Sequence, residues 1–415
     1  MAKVRKVLML VENLPAPADR RIWSEASTLR DAGCQVCIIC PKGSTRHQES
    51  YVCLEHINVY RYRLPAAGHT PMHYIAEYSV ALLMTFYLSV KVLFRHGFDV
   101  VHTANPPDLF FLIGLFYRLF GKKFVFDQHD LAPEVFRVKF PVRGKLLYKL
   151  LCLLELWSYR TAHLVIVTNV SQQKVATGRG RSSVSKVVVV RNGPDLERFK
   201  LLPPEPELKR GYPFLLAYVG VMGVQDGIEY ALYALHHLVH KRGRQDVSLL
   251  LMGDGDCTPT LKARAHELQL DECVNFNGWT ESIDIVRYLS VADIGLSPDP
   301  QNGLNEFSTM IKTMEYMAMG KPVVAFDLAE TRFSAQDAAL YARPNVSEDF
   351  ADKIELLLEN ELLRHTMGAN GRRRIEEELS WNYAKENLLR AYEMLFPSSA
   401  ETTVTDTVLV SSGKN

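Results

Sequence analysis

Asp293-Ile-Gly-Leu-Ser-Pro-Asp-Pro300, a polar loop, and then Ser308-Thr-Met-Ile-Lys-Thr-Met-Glu315-Tyr-Met-Ala-Met-Gly320-Lys-Pro-Val-Val-Ala-Phe-Asp327 read as strand, loop, helix and strand. Ser308 is placed to cap the helix and Gly320 to close it before the next strand. Met310, Met314, Met317 and Ala318 fall on one side of that helix, at core spacing. Glu315 does not belong to that pattern, being set mid-helix between methionines. From Thr309 to Glu315 a helix rises roughly 9 Å, at about 1.5 Å per residue. An anion held by the N–H groups of Thr309, Met310 and Ile311 would sit about one sugar ring from the carboxylate. That suits a nucleoside diphosphate whose ribose hydroxyls bond Glu315. A surface glutamate on an ordinary βαβ helix is the other reading of the same residues.

The 415 residues around this stretch exceed one typical core and suit two domains. With 48 basic against 47 acidic residues, the total charge calls for no nucleic-acid partner. Seven cysteines without small-scaffold spacing favour a reducing, cytoplasmic compartment. Met1-Ala-Lys-Val-Arg leads directly into an apolar run, so no signal peptide is expected.

Lys6-Val-Leu-Met-Leu-Val11 reads as a buried parallel strand, followed by a Pro-rich turn and a helix from Asp19 to Ala32. Asp19 is placed to cap that helix. Arg20 and Arg21 lie in its first turn, where the helix dipole disfavours cations, so an anionic group opposite them is expected: either one of these arginines faces the interdomain cleft as a substrate-binding group, or the pair is taken up in salt bridges. Cys34, Cys37 and Cys40 lie in a strand, where a period of two puts Cys37 opposite the other two, and they read as core cysteines. Tyr74 to Phe94 is nearly long and apolar enough to span a membrane, yet Glu77 and Lys91 interrupt it and Ser and Thr recur, which favours a buried helix. The segment 135–154 mixes Arg137, Lys139, Arg143, Lys145 and Lys149 with aromatic and leucine residues and contains no acid. That composition suits a helix on an anionic membrane surface, the alternative being a core helix with a solvated basic face.

A proline-rich, charged stretch at 200–213 marks the domain boundary. Beyond it, Phe214-Leu-Leu-Ala-Tyr-Val-Gly220 opens a second βα alternation, in which Gly220 and Gly223 allow the backbone close to a ligand. Asp254-Gly-Asp256 resembles a metal-binding Asp-x-Asp pair but more simply turns a strand into a helix. Helices run to about Leu395, with 381–397 placed to cross back onto the first domain, and 398–415 has no core period and reads as disordered.

Glu315-Tyr-Met-Ala-Met-Gly-Lys-Pro-Val-Val resembles the nucleotide-binding signature of the retaining GT-B glycosyltransferases of family 4, and the resemblance extends from about residue 5 to about residue 395. It implies an α/β fold of two Rossmann-like, doubly wound parallel-sheet domains facing a cleft: an acceptor domain (1–205) and a nucleotide-sugar domain (206–380). It implies that Glu315 binds the ribose and the helix start receives the diphosphate. A first acid often stands eight positions earlier in the family; Phe307 holds that place here, and the neighbouring Glu306 is the candidate for its sugar contact. Asp19-Arg20-Arg21-Ile22-x-x-Glu25 and His129-Asp130-Leu-Ala-Pro-Glu134 are also similar to family motifs. By that match His129 bonds the transferred sugar, while Asp130 or Glu134 orients it or meets the acceptor. The family's diphosphate-binding arginine and lysine are replaced by Val221 and Asp226, so Lys312 and Arg332 are the candidate replacement cations. The activity implied is transfer from a UDP or GDP sugar to a glycan or lipid-linked acceptor without metal or other cofactor, by a cytoplasmic enzyme peripheral to the inner face of the membrane. A non-catalytic sugar-nucleotide-binding or membrane-associated subunit is the alternative.

Overall fold

The computed structural model describes residues 5–43, 46–65, 71–140 and 144–396. The 398–415 tail and Arg143 of the basic segment lie outside them. The chain forms two compact units: Met1–Ala132 with Lys145–Val190 and Lys385–Asn415, and Pro133–Gly144 with Arg191–Ala384.

The first unit runs β1 (Lys6–Leu10), α1 (Arg20–Asp31), β2 (Gln35–Pro41), β3 (Tyr51–Leu54), β4 (Ile57–Tyr62), α2 (Pro71–Arg95), β5 (Val100–Ala104), α3 (Phe111–Arg118) and β6 (Lys123–Gln128). After α4 (Ala132–Lys139), most of which groups with the second unit, come α5 (Lys145–Thr161), β7 (Leu164–Val167), α6 (Val170–Thr177) and β8 (Val187–Val189). The sheet order is β3-β4-β2-β1-β5-β6-β7-β8, parallel except for β3 against β4. Strand order reverses between β1 and β5, the position where open α/β sheets bind ligands beyond their strand ends. Leu8, Leu10, Cys37 and Ile39 enter one core with α2, α3, α5 and α6. Cys40 is buried outside that cluster, in line with the period-two reading of β2.

The second unit contains β9 (Phe214–Val219), α7 (Ile228–His236), β10 (Val247–Met252), α8 (Thr258–Glu267), β11 (Val274–Gly278), α9 (Ser282–Val291) and β12 (Ile294–Ser297). It continues with α10 (Ile311–Ala318), β13 (Val323–Phe326), α11 (Ala329–Ala335), β14 (Ala339–Ala342), α12 (Ser347–Glu359), α13 (Glu361–Arg374) and the start of α14 (Trp381–Met394). The order β11-β10-β9-β12-β13-β14 is all parallel and reverses between β9 and β12. Leu216 and Tyr218 face one core while Leu215, Ala217 and Val219 face another, so helices cover both faces of the sheet. In β12, Gly295 lies under Tyr316, where a Cβ would come 2.3 Å from the ring.

The unit boundary falls at Val190, earlier than the proline-rich stretch suggests. Residues 191–199 bond within the second unit, through Arg191 to Glu330 (3.2 Å) and Trp381 N–H to the Pro194 carbonyl (3.2 Å). The later part of α14 groups with the first unit, where Asn387 Nδ2 donates to the Val189 carbonyl and Tyr392 Oη meets His102 Nδ1 at 2.7 Å. Helix α2 departs from the buried-helix expectation. Ala81, Leu88 and Val92 pack on the core, but only 28% of its most apolar window is buried.

Candidate functional site

In the second unit the decisive stretch sits at the strand-order reversal. Its helix begins later than the sequence suggests, at Ile311, with Met310 as N-cap and no side-chain cap. Ser308 does not cap it, because a short 3-10 turn (Asn305–Phe307) precedes it and its Oγ donates instead to the Leu304 carbonyl (3.0 Å). Thr309 and Met310 therefore enter the helix from outside it. Glu315 stands only about 6 Å along the axis from Ile311. The N–H of Thr313 donates to the Met310 carbonyl (3.2 Å), but the N–H groups that open an α-helix have no acceptor one turn back, so this end remains suited to an anion. Ile311 is exposed, Thr309 half-buried and Met310 buried. Glu315, one turn beyond Lys312, is 6% exposed.

Lys312 is the centre of this site, and it is paired. Its Nζ lies 2.5 Å from Asp299 Oδ1 and 3.4 Å from Asp226 Oδ1. Asp299 is held by Ser297 Oγ (2.6 Å), which Thr313 Oγ1 reaches at 3.1 Å, so the first turn of α10 is tied to the end of β12. Burial alone would lower the Lys312 pKa, but Asp299, Tyr218 and Asp226 outweigh it and hold the ammonium well above its ordinary range. Burial pushes the Asp226 carboxyl up, with Asp299 adding to the shift and Lys312 opposing it. Asp226 also accepts from the Gly223 N–H (3.2 Å). Gly220, at φ +152°, brings the backbone close: a Cβ there would lie 3.3 Å from Lys312 Cε and 3.0 Å from Tyr218 Oη.

Arg332 is also committed elsewhere. On α11 it forms a two-point pair with Asp327 (2.7 and 2.6 Å) and lies over the Tyr341 ring. Glu306, in the 3-10 turn, accepts from Gln301 Nε2. Asp254 Oδ1 accepts from the Gly255 N–H (2.8 Å) and Thr258 Oγ1 (2.7 Å), closing the turn into α8. Glu134 is a buried residue of α4.

The first unit places His129 just past β6 in a buried polar network. Its Nε2 is 2.6 Å from Asp127 Oδ2. Arg21 Nε and Nη2 donate to the two Asp127 oxygens at 3.2 and 2.8 Å, Nη1 donates to the Val190 carbonyl, and Nη2 meets Glu25 at 3.1 Å. Burial would raise Asp127, but Arg21 and His129 outweigh it and hold it well below the usual carboxylate range. The carboxylate is thus ionised and can only accept, which makes His129 Nε2–H the donor. The 3.1 Å approach of Arg21 Nε to the same nitrogen is then a contact rather than a hydrogen bond. His129 itself is raised, because Asp127 overcomes the lowering effect of burial. Its Nδ1 makes no hydrogen bond to protein among the described residues and is the nitrogen left for a ligand.

The anionic partners expected opposite the basic pair are therefore Asp127 and Glu25, both facing Arg21. Arg20 is exposed at the start of α1, and Asp19 accepts from the Ile22 N–H as a cap. Asn105, which is not among the site residues expected from the sequence, holds the His129 loop: its Oδ1 accepts from the N–H groups of His129 (2.7 Å) and Asp130 (3.2 Å), and its Nδ2 donates to Asp108 and the Asp130 carbonyl. Glu25, His102 and Asp127 also bring ligand-type atoms within 4.8 Å of one another, but the Arg21 guanidinium already supplies a cation among these carboxylates. Burial and the Asp127 charge push Glu25 up to about 7.

Comparison with known proteins follows the same division of the chain. A family model described as Glycosyltransferase Family 4 matches residues 18–198, and one described as Glycosyl transferases group 1 matches residues 213–360. The chain is similar to the GDP-mannose-dependent monoacylated alpha-(1-6)-phosphatidylinositol monomannoside mannosyltransferase of Corynebacterium glutamicum, at 30% identity over 35% of this chain and 38% of that protein. It is also similar to the capsular polysaccharide biosynthesis glycosyltransferase CapM of Staphylococcus aureus, at 23% identity over 57% of this chain and 60% of CapM. Among solved structures, sucrose-phosphate synthase from Thermosynechococcus elongatus superposes with a TM-score of 0.75 at 19% identity, covering 94% of this chain and 99% of that one.

Proposed function

The chain belongs to the group 1 glycosyltransferases of family 4, with their GT-B fold, and on that premise we propose that it transfers a sugar, with retention, from a UDP or GDP sugar to a glycan or lipid-linked acceptor. The observation that carries the donor reading is the juxtaposition of the α10 N-terminus, Lys312 and Glu315 at the strand-order reversal of the second unit. The first turn of α10 receives the diphosphate and Glu315 takes the ribose hydroxyls. Lys312 has three N–H donors, and its longer contact, to Asp226 at 3.4 Å, is the one a phosphate oxygen displaces. As the bond from the anomeric carbon to the leaving oxygen breaks, charge grows on the diphosphate, where the ammonium and helix amides stabilise it. His129 Nδ1 bonds a hydroxyl of the sugar, and the acceptor hydroxyl attacks from the face the diphosphate leaves.

No protein nucleophile and no metal has a part in this scheme. The acceptor's membrane context rests on the basic segment 135–154, and a lipid acceptor is in line with the similarity to the corynebacterial phosphatidylinositol monomannoside mannosyltransferase. We place the enzyme in the cytoplasm, peripheral to the inner face of the membrane. The test is a panel of UDP and GDP sugars incubated with purified protein, with and without a membrane extract, following nucleoside diphosphate release and the anomeric configuration of the product. Extract-dependent release with retained configuration is expected. Release from no donor, or an inverted product, overturns the reading.

A further inference from the structure

The outward sides of α2, α3 and α5 form an apolar face on the first unit that, among the described residues, no element of that unit covers. Leu83, Tyr87 and Phe94 of α2, Phe116 of α3, and Leu146 and Trp157 of α5 are all exposed, Phe94 at 86%. The three helices lie over one face of the sheet, their inner sides sharing one core. They are also adjacent. Phe86 meets Phe116 edge-on at 5.1 Å between ring centroids, and α3 packs on α5. A surface of this extent on a folded unit marks a binding site.

Charge selects the occupant. Lys91, Arg95, Lys145, Lys149 and Arg160 are exposed on α2 and α5. The carboxylates on the three helices are Glu77, which is half-buried, and Glu155, which is buried and paired with Arg179 at 2.8 Å. An apolar face carrying cations and no fully exposed acid complements anionic lipid headgroups above an acyl layer. A second copy of the same face would bring like charges together. Crossing the bilayer is excluded by the other side of α2, where Ala81, Leu88 and Val92 are packed into the core and Ser89 Oγ bonds Tyr117 Oη at 2.8 Å. The helix keeps that stripe on its own sheet only by lying in the membrane plane.

We propose that the α2–α3–α5 face inserts into the interfacial layer of an anionic bilayer, with α2 as its main apolar element. This deepens the reading of a membrane-presented acceptor and moves its weight from the 135–154 segment to α2. Arg137 and Lys139 of that segment stand on α4, which groups with the other unit.

The full chain is tested by co-sedimentation with vesicles of phosphatidylcholine alone and of phosphatidylcholine with about one third phosphatidylglycerol, without donor or acceptor. Binding to the anionic vesicles is expected, and is at least about ten-fold weaker with the neutral ones or in about 0.5 M salt. Leu83→Asp/Phe94→Asp, which alters exposed side chains, is expected to keep the circular dichroism spectrum and melting temperature while weakening binding by about ten-fold or more. Donor hydrolysis in vesicle-free solution reports on the second unit's site, so failure there and failure of vesicle binding are read separately. No binding to anionic vesicles, equal binding to neutral ones, or equal binding by the double variant overturns the proposal. So does a concentration-dependent dimer by light scattering that the double variant abolishes, because the face would then be a contact between copies.

Discussion

His129 Nε2 and Asp127 Oδ2 lie 2.6 Å apart, and Arg21 holds the same carboxylate in two further bonds. Under the proposed function, this arrangement decides which imidazole nitrogen is left for the substrate. Asp127→Asn removes the charge that raises His129 and leaves the buried guanidinium short of a counter-charge. Breaking a buried pair from one side costs about 3–5 kcal/mol, offset here by the remaining Glu25. The His129 pKa, read by NMR titration, is expected to fall in the variant, and kcat to drop about ten- to a hundred-fold through loss of the fixed ring orientation. Because the folded pKa is raised, the His129–Asp127 pair adds stability below the ordinary histidine value and loses it as pH rises through the folded one. An unchanged His129 titration in Asp127→Asn contradicts this account.

Glu315→Ala separates nucleoside recognition from diphosphate recognition. A charged hydrogen bond contributes about 1.5–3 kcal/mol, so the net loss of one such bond between the carboxylate and the ribose should lower affinity for UDP or GDP about ten- to a hundred-fold. Affinity for pyrophosphate alone should hold, since the α10 N–H groups and Lys312 are untouched. Calorimetry with nucleotide and with pyrophosphate measures both. Equal loss for the two ligands would mean that Glu315 supports the helix instead of touching the pentose.

Much of the second unit's candidate site was legible because its logic is local. The methionine spacing of α10, the following glycine and the lone mid-helix glutamate all lie within a few turns of each other. The start of that helix was misread because Ser308 looks like a cap, and only the preceding 3-10 turn shows its hydroxyl to be occupied. The carboxylates around Lys312 were not legible, since Asp226 is 86 positions away and Asp299 owes its place to strand order. The one signal available was an acid inside Ser-Pro-Asp-Pro directly after a strand. In the first unit, the Arg21–Asp127 pair spans 106 positions and exists only because β1 and β6 are brought into one sheet. The exposure of α2 was hidden for a different reason: a helix apolar on nearly every side has no periodicity that reveals which side is covered.

Asp226→Asn should strengthen donor binding. Asp226 is a carboxylate beside the proposed diphosphate position, and its amide replacement keeps an oxygen for the Gly223 N–H while removing the charge. One like charge removed at short range is worth about 1 kcal/mol near a protein surface, so the donor KM should fall several-fold with little change in kcat. The same sign appears with pH. Because burial raises the Asp226 pKa, protonation begins above the ordinary aspartate range, and donor KM in the wild type should fall as pH drops through that raised value. The variant should lack that pH dependence. Lys312→Ala serves as the opposite control, with kcat reduced at least about a hundred-fold. A higher donor KM in Asp226→Asn would show that the carboxylate positions Lys312 more than it repels the diphosphate.

Glu12 predicts a pH dependence of folding that is independent of the donor site. It follows β1, is 4% exposed, and its Oε1 makes no hydrogen bond among the described residues. Burial, with the Glu77 charge adding to it, pushes its carboxyl up from 4.5 to about 8. A raised folded pKa means that the native state binds the proton more tightly, so this contribution to stability is intact below about pH 4.5 and declines until pH reaches about 8. Glu12→Gln mimics the protonated form at every pH. Chemical denaturation should therefore show the variant close to wild type near pH 5 and more stable by about 1–3 kcal/mol at pH 8 and above, the usual cost of an uncompensated buried polar group. The acid side is where carboxylates such as Asp127 lose their own contribution, so the comparison is between variant and wild type at each pH. A variant less stable than wild type at pH 8 would mean that Glu12 is ionised and held by a cation in the native protein.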